Sequence, residues 1–164
     1  MPSSAKTVPI ERRGDYIVKM YELEDDVCLK LLTGCTFGRV AFDDPRVGLT
    51  VLPVNFVMSH DAVVFRVQVG SALDSVGKGS PVAFEADHVD TVAESGWSVL
   101  VRGTATHIRS RKRVAALADT TVHPWAPGRR DRWIEIRPQL ITGRIVKRER
   151  LPGEPARVPY MPPG

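Results

Sequence analysis

The chain has 164 residues, a net charge of +4 at neutral pH and a pI near 9.3. Apolar residues make up 43% of the chain and charged residues 26%, which is typical of one soluble globular domain with a hydrophobic core. No segment approaches the roughly 18 apolar residues of a membrane span, and residues 1–15 lack the apolar segment of a signal peptide. We therefore expect a cytoplasmic protein that does not bind a membrane.

Several function classes are excluded by missing motifs. Two cysteines, Cys28 and Cys35, provide neither a disulfide framework nor a four-cysteine zinc site, and the four histidines lack the spacing of metal ligands. The chain contains no P-loop, GxGxxG or GxSxG motif. The basic runs at 109–113 and 144–150 lie outside any helix-turn-helix, zinc-finger or RNP pattern, so we expect no nucleic-acid partner. Because of the cysteine count and the histidine spacing, we expect no metal.

The chain divides into three parts. Residues 1–20 are polar and predict an extended N-terminal arm, and residues 21–150 carry the periodic segments of one domain. Residues 151–164 contain five prolines and two glycines, a composition that predicts an extended or disordered tail.

The period of the apolar residues changes from helical to alternating after the first element. Leu23, Val27 and Leu31 predict a helix over 22–34 that ends at Gly34. Short helices are expected at 71–78 and 110–120. Strands are predicted at 36–43, 47–58, 61–67, 81–87, 96–108, 131–137 and 139–148. Because strands dominate and do not alternate with helices, the pattern indicates a mainly β, antiparallel barrel or sandwich of six or seven strands with two or three short helices. A glycine within the long strand 96–108, Gly103, predicts a bulge or bend.

The segment 51–73 contains the clearest functional signal. Two apolar runs, at 51–58 and 62–67, flank a turn and predict a β-hairpin. Asn55 and Arg66 are expected at facing strand ends, followed by the small-residue turn Gly70-Ser71. An amide, a guanidinium and free turn amides suit a planar polar ring that carries a phosphate. A redox cofactor of that kind carries the difficult chemistry itself, so no catalytic residue is assigned from the sequence.

Short segments in a fixed order carry a family resemblance over residues 22–147. They are GRVAF (38–42), LPVNFV (52–57), AVVFR (62–66), GSAL (70–73), PVAFEAD (81–87), GWSVLVRGTA (96–105), HPWAPGRRDRWIEIRP (123–138) and ITGR (141–144). In this order they resemble the actinobacterial branch of the pyridoxamine 5′-phosphate oxidase-like, FMN-binding split-barrel family. The resemblance implies a split β-barrel that binds FMN between the subunits of a homodimer and acts as a flavin-dependent oxidoreductase on an unidentified small molecule.

The resemblance also implies a set of cofactor-binding residues. Residues 53–55 and Phe65 would line the isoalloxazine ring, while Arg66 and Ser71 would hold the phosphate. Trp97 and Ser98 would come from the same wall or from the partner subunit, and Trp125 would cap the site. Arg66 could instead pair with Glu85 or Asp87, and Phe65 could belong to the core. The full set is Pro53, Val54, Asn55, Phe65, Arg66, Ser71, Trp97, Ser98 and Trp125.

The chain departs from the family pattern at the expected phosphate site. Members of this branch often read FRTxxGSKL, whereas Val67 and Ala72 stand here in place of the Thr and the Lys. Each lost charge-assisted contact costs about 1.5–3 kcal/mol, so FMN is expected to bind more weakly. Lys78, Arg102 and Arg129 are candidates to replace the missing groups.

Two alternatives remain open. A deazaflavin coenzyme with a long acidic tail would suit the basic runs, and a cofactor-free dimeric binding protein would suit Val67 and Ala72. Haem is not supported because no histidine is placed as an axial ligand. Activity as a true pyridoxamine 5′-phosphate oxidase is not expected, because the closing segment 132–150 contains arginines but no histidine.

Overall fold

The computed structural model describes residues 7–118 and 128–150, with side chains described from residue 10 onward. Within these residues lie eight strands and three helices. The strands are β1 (Thr7–Arg13), β2 (Tyr16–Leu23), β3 (Phe37–Asp44), β4 (Gly48–Ser59), β5 (Ala62–Val67), β6 (Lys78–Asp90), β7 (Ser95–His107) and β8 (Arg132–Arg150). The helices are α1 (Asp25–Thr33), α2 (Ala72–Val76) and α3 (Arg111–Ala118).

Six of the strands close into an antiparallel barrel. The hydrogen-bonded order runs β3–β4–β5–β8–β7–β6 and returns to β3. This confirms the mainly β, antiparallel split barrel with short flanking helices. No helix in the described ranges has both the length and the apolar character needed to cross a membrane.

The long strand β8 bends instead of ending. Pro138 was expected to separate two strands, but β8 continues through it for 19 residues. The pairing register with β7 shifts between Arg102 and Gly103, opposite Pro138, which confirms the predicted bulge. A proline is tolerated there because a bulge does not need its missing N–H. A Cβ on Gly103 would overlap the carbonyl of Arg137, so only glycine fits this close approach.

The N-terminal segment adds a hairpin to the barrel. The polar composition of residues 1–20 predicted an extended arm, whereas β1 and β2 pair with each other and β2 pairs with the second half of β8. Cross-strand polar contacts replace the missing apolar pattern, since Glu149 accepts hydrogen bonds from Lys19 Nζ at 2.6 Å and from Tyr21 Oη at 2.8 Å.

The hydrophobic core fills the barrel and extends under two helices. Cys28 and Leu32 of α1, together with Leu73 and Val76 of α2, belong to the main core cluster. A second, smaller cluster lies outside the barrel beneath α3 and consists of Ala62, Val64, Ile108, Leu117 and Trp133.

Candidate functional site

The residues predicted to line the isoalloxazine ring lie on two faces of the sheet, because successive side chains of a strand point to opposite sides. Val54 is 7% exposed and Phe65 is fully buried, and both belong to the barrel core. Pro53, Asn55 and Arg66 lie at alternate positions and therefore face outward. The Val54 and Phe65 side chains therefore pack inside the barrel and not on its outer surface, which for Phe65 is the core position given as the alternative.

The predicted amide and guanidinium lie beside each other on the β4–β5 hairpin, but Asn55 is within β4 and not at its end. Phe56 and Phe65 form the last Cα pair of β4 and β5 at this end of the hairpin. The residues one step further along the two strands are Asn55 and Arg66, so both occupy the outer face where the strands separate. The Nδ2 group of Asn55 donates to the Thr36 carbonyl at 3.4 Å, which holds the amide at this position.

The Arg66 guanidinium is oriented by β8 and the segment before it. Its Nε donates to the Arg130 carbonyl at 2.7 Å, and its carbon lies 5.2 Å from the centre of the Trp133 ring. The Nη groups of Arg66 make no hydrogen bond to the described residues. A guanidinium held in this way, with Nη groups that the described residues leave open, suits two oxygens of one phosphate.

The alternative pairing of Arg66 with acidic residues of β6 is not observed. Arg39 takes that place: its Nη1 donates to Glu85 Oε2 at 3.1 Å and to Asp87 Oδ1 at 2.8 Å. Burial and the nearby Asp87 raise the pKa of Glu85, and the contact with Arg39 partly offsets this. The network joins β3 to β6 in the middle of the outer face.

Sequence reasoning missed Phe37 and Arg39. They lie on β3, between the predicted site residues of β4 and those of β7. Phe37 is the Cα partner of Asn55, and Arg39 is the Cα partner of Pro53. Their alternation with the buried positions of the strand GRVAF was the available signal, because it places both side chains on the same outward face as Pro53 and Asn55.

The turn after β5 has the conformation expected of a small-residue turn, but its polar groups are engaged. Gly70 has φ of +79°, and the Ser71 N–H donates to the Gln68 carbonyl at 3.1 Å. The Ser71 hydroxyl accepts from the Asp74 N–H at 3.3 Å and thereby caps α2. Ser71 is therefore first a helix-capping residue.

Trp97 and Ser98 both line a separate cavity, whose volume is about 620 Å³. They are consecutive residues of β7 and therefore alternate: Ser98 is exposed on the outer face, whereas Trp97 packs against the main core cluster. Arg144 lines it as well and makes no ion pair with any residue that the structure describes. The complete lining is Met20, Glu85, Asp87, Val89, Asp90, Thr91, Glu94, Ser95, Gly96, Trp97, Ser98, Arg144 and Val146.

The two parts of the predicted site do not converge within one protomer. From Asn55 on β4 the sheet passes through β3 and β6 before it reaches Ser98 on β7. Three strand spacings of about 4.8 Å place these two residues roughly 14 Å apart along the sheet. The third predicted part, Trp125, lies outside the described residues. Within those residues no group of three or more side chains could ligate a metal.

Comparison with known proteins gives the family. The family model described as pyridoxamine 5′-phosphate oxidase matches residues 24–145. The chain belongs to this family. It is 32% identical over 158 residues to the uncharacterized protein Rv0080 of Mycobacterium tuberculosis, covering 92% of this chain and 99% of that protein.

Two solved structures show the same fold at comparable identity. An FAD-binding protein from Mycobacterium smegmatis is 31% identical, with a TM-score of 0.63 over 79% of this chain and 98% of that one. A candidate pyridoxamine 5′-phosphate oxidase from Corynebacterium glutamicum is 28% identical, with a TM-score of 0.66 over 78% of this chain and 94% of that one.

Proposed function

We propose that the protein is a flavin-dependent oxidoreductase that acts on a small molecule. The observation that carries this proposal is the placement of Asn55 and Arg66 side by side on the outer face, at the open end of the β4–β5 hairpin. Membership of the pyridoxamine 5′-phosphate oxidase family and similarity to a protein that binds FAD support it. A bound flavin would supply the redox chemistry, because its ring accepts and donates electrons without help from a protein nucleophile.

Three residues on the outer face, Pro53, Asn55 and Arg66, have distinct roles in the proposed flavin site. Pro53 is exposed and offers apolar surface against which a flat ring can lie. Asn55 supplies amide hydrogen-bonding groups to the polar edge of that ring. Arg66, held by Trp133 and the Arg130 carbonyl, directs its Nη groups to the phosphate at the end of the ribityl chain.

The proposal includes a homodimer, because the outer face exposes large apolar side chains at both ends of a row that crosses the sheet. Val51 is 58% exposed and Leu140 is 48% exposed. They lie at the two ends of a row of Cα partners that crosses five strands: Val51, Ala41, Ala83, Arg102 and Leu140. An exposed apolar face of this kind is typical of a protein interface.

A two-fold dimer would also account for the division of the site. Asn55 and Ser98 lie roughly 14 Å apart in one protomer, since three strand spacings separate them. Packing of two outer faces would bring the Trp97–Ser98 cavity of one protomer towards the Asn55–Arg66 wall of its partner. Each flavin would then have contacts from both subunits, and the substrate would enter between them.

The first test is the visible spectrum of the purified protein, followed by titration with FMN and FAD and measurement of tryptophan fluorescence. The expected result is either bound flavin on purification or saturable quenching at micromolar flavin. Analytical ultracentrifugation of the same sample is expected to give a dimer. A colourless protein that does not respond to either flavin would contradict the proposal.

A further inference from the structure

The carboxylate of Asp74 lies inside the Gly70-Ser71 turn, which follows Arg66 along the chain and which the sequence assigns to the flavin phosphate. Its Oδ2 accepts a hydrogen bond from the Gly70 N–H at 2.8 Å. The Asp74 N–H in turn donates to the Ser71 hydroxyl at 3.3 Å. The amide and the hydroxyl expected to receive a phosphate are therefore already bonded to one internal residue.

The other oxygen of Asp74 is surrounded by cationic or donor groups. Its Oδ1 lies 3.0 Å from His107 Nε2 and 3.8 Å from Arg132 Nε. The Asp74 and His107 side chains are only 13% and 9% exposed. A backbone amide, an imidazole and a guanidinium around two oxygens form the kind of donor set that proteins use for phosphate.

Asp74 stays ionised at neutral pH. Burial raises the pKa of its carboxyl, but the hydrogen bonds from Gly70 and His107 and the charge of Arg132 lower it by more, so that the pKa lies below its ordinary value. The turn thus contains a permanent negative charge.

We propose that Asp74 determines which phosphate this turn accepts: a singly charged phosphate, such as the first phosphate of the FAD pyrophosphate, in preference to the doubly charged terminal phosphate of FMN. The inference rests on the proposed function, since it assumes that a flavin phosphate lies beside this turn. Like charges repel, and the repulsion from Asp74 rises with the charge on the phosphate.

The remaining charges of the turn match a single negative charge. Asp74 pairs with Arg132 at 3.8 Å, which leaves Arg66, on the strand that leads into the turn, as the cation available to a phosphate. Val67 and Ala72 add none, because Val67 is buried in the barrel and Ala72 has no polar group. A second charge on the phosphate therefore has no partner in this turn.

The test compares three ligands that share the isoalloxazine ring and differ in charge: FMN, its monomethyl phosphate ester and riboflavin. Dissociation constants are measured by flavin titration at pH 7.5. We expect the wild-type protein to bind the methyl ester about tenfold more tightly than FMN, the difference that one unpaired charge near the site would produce. FAD, which shares the singly charged first phosphate, is expected to bind at least as tightly as the methyl ester.

The variant Asp74→Asn keeps the size of the side chain and removes its charge. We expect it to bind FMN about tenfold more tightly than the wild type, with riboflavin affinity unchanged. Asp26→Asn, at an exposed acid of α1, is the matched control and should change none of the affinities.

The outcomes separate this inference from the proposed function. FMN binding more tightly than its methyl ester in the wild type would overturn the role of Asp74, even if the variant failed to fold. An equal change of all three affinities in Asp74→Asn would show a structural role only and would also overturn it. Absence of binding by every flavin would overturn the proposed function and this inference together.

Discussion

The guanidinium of Arg66 lies over the ring of Trp133, its Cα partner on β8, with 5.2 Å between the guanidinium carbon and the ring centre. Trp133 is buried against the cluster beneath α3, so the platform under the cation is rigid. A cation over an aromatic ring gains about 0.5–1 kcal/mol at a partly exposed site. The contact fixes the direction of a side chain that would otherwise have several rotamers.

The substitution Arg66→Gln is expected to weaken flavin binding at least tenfold, because it removes the charged contact to the phosphate. The measurement is a fluorescence titration with FAD. Arg12→Gln, at an exposed arginine of β1, is the control and should leave the affinity unchanged. An unchanged affinity in Arg66→Gln would place the phosphate elsewhere on the protein.

The substitution Val51→Lys is expected to convert the dimer to a monomer. It would place a charge at the β4 end of the row that runs from Val51 to Leu140, on the face where the two copies are proposed to pack. Sedimentation velocity measures the change. Val92→Lys, at a residue that is 88% exposed in the turn after β6, should not alter the assembly. A dimer that survives Val51→Lys would show that the interface lies on another face.

The substitution Gly103→Ala is expected to destabilise the fold by about 1–3 kcal/mol or more, since the new methyl group would overlap the Arg137 backbone, which cannot rotate away. Chemical denaturation measures the free energy of unfolding. Gly34→Ala is the matched control: its Cβ would lie 3.5 Å from the Leu31 carbonyl, and its φ of −80° suits alanine. A stable Gly103→Ala protein would mean that the β7–β8 bulge can shift its register.

The two cysteines are expected to react at different rates with a thiol reagent at pH 8. Burial raises the pKa of Cys28 to about 11, and the side chain is fully buried. Burial and the nearby Asp87 also raise the pKa of Cys35, but this residue is only partly buried. Cys35 should therefore react slowly in the native protein, and Cys28 should react only after unfolding. A Cys35→Ser protein that still reacts in its native state would contradict this order.

The buried carboxylate of Glu135 is expected to make stability depend on pH. Arg113 donates to it at 2.6 Å and 3.3 Å, and these bonds hold its pKa below the ordinary value. A lowered pKa in the folded state contributes stability above the unfolded pKa of about 4.3, and this contribution is lost as the pH falls. Glu135→Gln should cost about 1–3 kcal/mol at pH 7 and much less near pH 3.

Urea unfolding at several pH values checks this dependence. Glu11→Gln, at an exposed carboxylate of β1, is the control and should have little effect at either pH. A difference between wild type and Glu135→Gln that stays constant down to pH 3 would show that the side chain acts through packing and not through its charge.

The elements with a clear apolar period could be predicted from the sequence, and those held by polar contacts could not. The β4–β5 hairpin and the α1 helix were recognised because their buried positions repeat regularly. β2 was missed because its half-buried side chains are held across strands by partners such as Glu149, which lies far along the chain. Register and ion pairs of this kind depend on tertiary contacts that local patterns do not contain.

In the candidate site, too, the features set by local sequence patterns could be predicted and those set by tertiary contacts could not. Asn55 and Arg66 were placed correctly on facing strands of the hairpin, because hairpin pairing and strand alternation are local properties, although Asn55 lies within β4 and not at its end. The ion pairs of Arg39 and the engagement of the turn by Asp74 depend on which strands and helices pack together. Neither could be predicted from a single segment.

The N-terminal β1–β2 hairpin leaves β1 as an edge strand of the sheet. β1 is bonded to β2 and to no other strand among the described residues. Its pairing register shifts between Val8 and Glu11, and the strand ends in the exposed charges Glu11, Arg12 and Arg13. Irregular pairing and charge both oppose the addition of a further strand from another molecule. The protein is thereby protected against fibril growth at this edge, whatever occupies its outer face.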